Sequence, residues 1–117
     1  MLERLGTDLG GAGRRAIALE IEDPGCAEDP PSAQRRRRFY EGWGALPLTG
    51  LDGYHIPDRA EPEQSVPMLL LWRPGTAGAA QPTGDRLRTV IRQLYAFEYA
   101  EFAPADHLHR VLAGVTD

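Results

Sequence analysis

The period of apolar and polar positions changes several times along the chain, and each change marks an element. Residues 2–12 carry Leu2, Leu5 and Leu9 at helical spacing, with Glu3, Arg4 and Asp8 elsewhere on the wheel. That spacing predicts a helix, ended by Gly10, Gly11 and Gly13. Residues 16–22 switch to strict alternation, with Ile17, Leu19 and Ile21 on one face and Ala18, Glu20 and Glu22 on the other. This predicts a strand with one solvent face, stopped by Asp23-Pro24-Gly25. An acidic, proline-containing loop then runs to Pro31. Ser32 is the expected N-cap of a helix over 33–43, with Gly44 as its terminating glycine. Arg36, Phe39, Tyr40 and Trp43 fall at i, i+3, i+4 and i+7, so they are expected to share a core-facing side.

Residues 45–57 predict two short extended pieces, 45–48 and 54–56, around the turn pairs Thr49-Gly50 and Asp52-Gly53. The run 66–73, VPMLLLWR, is the most apolar stretch and has the length of a strand buried on both faces, with Pro67 near its beginning. A Gly/Ala/Pro linker over 74–84 leads to a helix over 85–99, with Leu87, Val90, Ile91, Leu94 and Tyr95 on one face. A last short helix over 105–113 groups Leu108, Val111 and Leu112. The expected class is α/β: a small mixed sheet of three to four strands flanked by helices, with a C-terminal helical extension.

Composition narrows the function classes. The chain has 117 residues, 42% of them hydrophobic, which suits one small domain with a core. Its net charge of -4 offers no global attraction for nucleic acid. All 13 basic residues are arginine. The only cysteine, Cys26, excludes an internal disulfide and a cysteine-rich zinc site; its acidic loop is a poor setting for a nucleophilic thiolate. His55, His107 and His109 form no metal-ligand pattern, so no metal is expected, and His107 and His109 are expected at the surface or a helix end, pointing apart. No apolar run is long enough to span a bilayer and the N-terminus is not a signal peptide, so no membrane contact and a cytoplasmic location are expected.

The most informative segment is Arg35-Arg36-Arg37-Arg38-Phe39-Tyr40-Glu41-Gly42-Trp43-Gly44-Ala45, preceded by the strand ending Glu20-Ile21-Glu22. In its strand–helix–hairpin context it resembles the second half of a GNAT-type N-acetyltransferase domain, over residues 1–73. Phe39, Tyr40 and Gly44 carry the resemblance. It implies acetyl-CoA as acyl donor, an amine acceptor (a small molecule or a peptide), and Tyr40 as general acid for the leaving thiolate, which needs a donor held close by. Arg35, Arg36, Phe39 and Tyr40 are the implied cofactor-side residues; His55 and Glu20 are acceptor-side candidates. Packing of Tyr40 beside Phe39 and Trp43, and solvated pairing of the arginine run with loop acids, are the plainer readings of the same residues.

The family's pyrophosphate loop has no counterpart. Asp8-Leu9-Gly10-Gly11-Ala12-Gly13 imitates its spacing, but an acidic residue there repels phosphate and the segment leads into a strand rather than a helix. The resemblance therefore implies the C-terminal half of such a domain, with the strand 16–22 left as an open edge. That edge is expected to pair with a second copy, as a homodimer, or with a separate N-terminal polypeptide. The competing function is a non-catalytic interaction or dimerisation module derived from the same fold.

Overall fold

The computed structural model describes residues 4–8, 16–76, 79–99 and 105–116. They form β1 (Arg4–Asp8), β2 (Ile17–Glu22), α1 (Pro30–Gly42), β3 (Leu46–Pro47), β4 (His55–Pro57), β5 (Ser65–Arg73), α2 (Gly84–Glu98) and α3 (Ala105–Ala113). The α/β class expected from the sequence is what the chain adopts. Two compact units emerge, one from Met1–Leu48 with Met68–Gln81, the other from Thr49–Pro67 with Pro82–Asp117.

The first unit is built on an antiparallel sheet in the order β1-β2-β5-β3. Its register sets Leu19 opposite Leu71 and Ile21 opposite Leu69. Leu19, Ile21 and Leu71 form with Ala45 a fully buried cluster, against which Ile17, Leu69 and Tyr40 pack. The alternation in 16–22 therefore marks the core face correctly. The opposite face is not open, however: Ala18 and Glu20 are as buried as Leu19. The alternation reports which side chains are apolar, not how many layers cover the strand.

β1 replaces the central part of the helix predicted over 2–12; the rest of that prediction lies outside the described residues. Gly6 and Thr7 sit inside the supposed helix, and each lowers its propensity. Meanwhile β2 offers a row of backbone donors and acceptors that an adjacent strand satisfies. β1 pairs antiparallel with β2, with Arg4 opposite Glu20 and Leu5 opposite Leu19. The edge expected to stay open at 16–22 is thus filled from within the chain. Among the described residues the sheet ends on β1, whose register shifts between Leu5 and Asp8, and on the two-residue β3, which contains Pro47. A register break and a proline both make poor templates for further strands.

α1 begins earlier than the sequence suggests. Asp29, not Ser32, is the N-cap; its Oδ1 accepts the Ser32 N–H at 3.3 Å. Pro30 and Pro31 occupy the first helical positions, where a missing N–H costs little. The other end follows the expectation. The Gly44 N–H donates to the Glu41 carbonyl at 3.0 Å and the Ala45 N–H to the Tyr40 carbonyl at 2.9 Å, a Schellman closure that needs the positive φ of 99° at Gly44. Arg73, at the end of β5, seals this terminus: its Nε donates to the Trp43 carbonyl at 3.0 Å and its guanidinium lies 4.3 Å from the Trp43 ring centre.

In the second unit, β4 pairs antiparallel with residues 65–67 of β5. α2 buries Leu87, Val90, Ile91, Leu94 and Tyr95, the stripe predicted from its period. After α3 the chain pairs with the 50–52 turn, through a bridge between Leu51 and Val115 and bonds from Asp52 N–H to the Gly114 carbonyl and from Thr116 N–H to the Gly50 carbonyl. No helix among the described residues is long and apolar enough to cross a membrane.

Candidate functional site

α1 carries the candidate site. Ser32, Arg35, Arg36, Phe39 and Tyr40, spaced i, i+3, i+4, i+7 and i+8, line one open hollow of about 360 Å³. The helix contacts the sheet through a narrow stripe, with Ala33 its only buried residue and Tyr40 packed on the Leu19/Leu71 cluster. This narrowness overturns the expectation that Arg36, Phe39, Tyr40 and Trp43 share a core face. Phe39 is 72% exposed, because it lies about 100° or more around the wheel from the Ala33–Tyr40 line, and Trp43, about 60–80° off that line at the helix end, is 38% exposed. Phe39 and Trp43 instead each meet Tyr40 edge-on, at centroid distances of 5.3 and 6.5 Å.

The donors available to an anion here come from side chains. Pro30 and Pro31 have no N–H, and those of Ser32 and Ala33 are taken by the side chain and carbonyl of Asp29. The start of α1 therefore provides no backbone phosphate cradle. Arg37 is committed to Glu41, Nε to Oε1 at 2.7 Å, in an i, i+4 pair. Arg35 and Arg36 flank the hollow, Arg36 with an interaction of its own within the chain. A guanidinium about 4 Å from an anionic oxygen is worth about 1–4 kcal/mol between bulk-water and near-surface screening. Together with the Ser32 hydroxyl and two aromatic rings, the chemistry suits a ligand with an anionic group beside a flat or apolar one.

The structure gathers Arg35, Arg36, Phe39 and Tyr40 in one place. Glu20 is not among them: it is 1% exposed within β2, opposite Leu70 on β5, so the predicted solvent-facing carboxylate is an interior one. It is engaged rather than free, as burial of a carboxylate demands. His55 belongs to the second unit, on β4. Its Nδ1 lies 3.1 Å from the Gly53 carbonyl and its ring 5.4 Å from that of His107, edge to face. Burial pushes the His55 pKa below its usual value; His107 and Arg110 push the same way, against the Gly53 bond.

Sequence reasoning missed two residues. Ser32, expected as a cap, lines the hollow; its i, i+4 and i+8 spacing to Arg36 and Tyr40 is the signal that places it there. His107 was expected at the surface and is 1% exposed, with Nε2 2.7 Å from the Pro62 carbonyl. It sits one turn before the buried Val111, so the i, i+4 stripe of α3 includes it. His109 is exposed, and so points away from His107 as expected. Cys26 is free and exposed. No group of three or more metal-ligating side chains gathers among the described residues. Comparison of the chain with family models, with curated proteins and with solved structures finds no match.

Proposed function

We propose that this chain handles acetyl-CoA in N-acetyl transfer to an amine, with the α1 hollow receiving part of the donor. The observation that carries this reading is the convergence of two guanidiniums, a hydroxyl and two aromatic rings on one helix face. A volume of about 360 Å³ takes a segment of such a donor, not all of it. Arg35 and Arg36 hold its anionic groups. The amine nitrogen attacks the thioester carbon, the C–S bond breaks, and the leaving thiolate takes the Tyr40 phenolic proton. The ammonium formed by the attack loses its proton to solvent, from which the phenolate recovers one. Glu20 is too buried to meet a substrate and takes no part.

Titration calorimetry with acetyl-CoA tests the binding half. Saturable micromolar binding, weakened at least tenfold by Arg35→Glu with Arg36→Glu, supports it; no heat at millimolar donor refutes it. Thiol release in the presence of amines tests the chemistry. Tyr40→Phe lowers that rate by about 10²-fold or more if the phenol is the acid.

A second reading, a non-catalytic interaction or dimerisation module, draws on a different observation. Phe39, Trp43 and Leu46 expose apolar surface on the first unit, Leu46 by 50%. Under this reading the chain sediments as a dimer and Phe39→Ser makes it a monomer, with acetyl-CoA without effect.

A further inference from the structure

The histidine pair of the second unit lies apart from the α1 hollow in the chain and is independent of the reading above. A carbonyl only accepts, so the 3.1 Å contact to Gly53 places the His55 proton on Nδ1, and the 2.7 Å contact to Pro62 places the His107 proton on Nε2. Each ring then turns a bare nitrogen inward. His55 Nε2 and His107 Nδ1 are both buried, and among the described residues neither has a hydrogen-bond partner. The rings are 5.4 Å apart at 61°.

This arrangement ties three segments together. His107 belongs to α3, His55 to β4, and Pro62 to the loop between β4 and β5. α3 and β4 pack on each other. The Tyr95 hydroxyl, from α2, donates to the His55 carbonyl. The backbone oxygens of Gly53 and Pro62 contact the pair, and the charge of Arg110 on α3 acts on His55. Neither ring has a carboxylate partner among the described residues. A proton added to His55 Nε2 creates a buried N–H with no acceptor among the described residues, beside a second imidazole and within reach of the Arg110 charge.

We propose that the His55–His107 contact is an acid-released latch: it holds α3 against β4 and the 58–64 loop while the His55 ring is neutral, and releases it when that ring gains a proton. The direction follows from linkage. His55 binds a proton less readily docked than undocked, so its contribution is complete above pH ~6.5 and falls as the pH drops below that value.

Hydrogen–deuterium exchange on the whole chain at pH 7.5 and 5.5, corrected for intrinsic rates, tests this. The amides of 105–113 lose protection at least threefold at pH 5.5, against a ceiling of about tenfold for one histidine, His55, that must be neutral to dock. The amides of β2 and of 68–73 in β5 change by less than half as much. His55→Gln flattens the pH dependence and His109→Gln leaves it intact. Protection of 105–113 that changes less than twofold overturns the proposal, as does an equal loss in β2. Should His55→Gln fail to fold, the wild-type pattern decides alone.

Discussion

Gly114 is the position where a single methyl group meets the hardest obstacle. It follows α3, and its carbonyl accepts the Asp52 N–H at 2.9 Å while the Thr116 N–H donates to Gly50 at 2.8 Å. A Cβ at Gly114 lies 2.1 Å from the Asp52 carbonyl oxygen and 3.2 Å from its carbon, all backbone atoms that no rotamer change can move aside. An ordinary C···O approach is about 3.3 Å, so the 50–52 turn and the 114–116 segment must part by about 1 Å in Gly114→Ala. That separation breaks or strains both bonds at about 1 kcal/mol each, and residual crowding adds about 1–2 kcal/mol. The expected loss is about 3–4 kcal/mol, confined to the second unit. Urea denaturation followed by far-ultraviolet circular dichroism reads the loss, and hydrogen exchange locates it in 50–52 and 114–116. A Gly114→Ala variant within about 0.5 kcal/mol of wild type refutes the close approach and the pairing built on it.

Gly44 supplies the contrast, since its problem is φ rather than space: an added Cβ finds nothing nearer than 3.8 Å, but φ is 99°. Gly44→Ala costs about 1–2 kcal/mol, read as a lower urea midpoint, and donor binding is unchanged if α1 stays intact. Arg73→Met keeps the aliphatic stem but removes the bond to the Trp43 carbonyl and the cation over its ring. It costs about 1–2 kcal/mol and shifts tryptophan emission. Tyr40→Ala removes a ring that packs on the buried cluster and costs about 2–3 kcal/mol, while Tyr40→Phe leaves thermal stability within about 1 kcal/mol. Only the second variant separates chemistry from packing, so activity and melting are measured on both.

What the sequence determined by itself is everything governed by neighbours a few residues apart. The stripe Leu87, Val90, Ile91, Leu94 and Tyr95 repeats at the helical period, and α2 buries all five. Glycine has no side-chain barrier to positive φ, and Gly44 ends α1 as its position implies. Arg35, Arg36, Phe39 and Tyr40 meet at one hollow because helical spacing alone brings them there.

Tertiary structure decided what those local rules leave open. Residues 4–8 hold a weak helical pattern, and an adjacent strand with unsatisfied backbone groups outweighs it. Glu20 reads as solvent-facing because it is charged and alternates with Leu19 and Ile21, yet it is buried together with Ala18, so both faces of β2 are covered. Phe39 reads as core because it is apolar, yet it is exposed because α1 touches the sheet along one narrow line. His107 and His55 stand far apart in the chain and meet only through the packing of α3 on β4. Periodicity tells a side chain which way to point relative to its own backbone; only the rest of the fold determines what waits there.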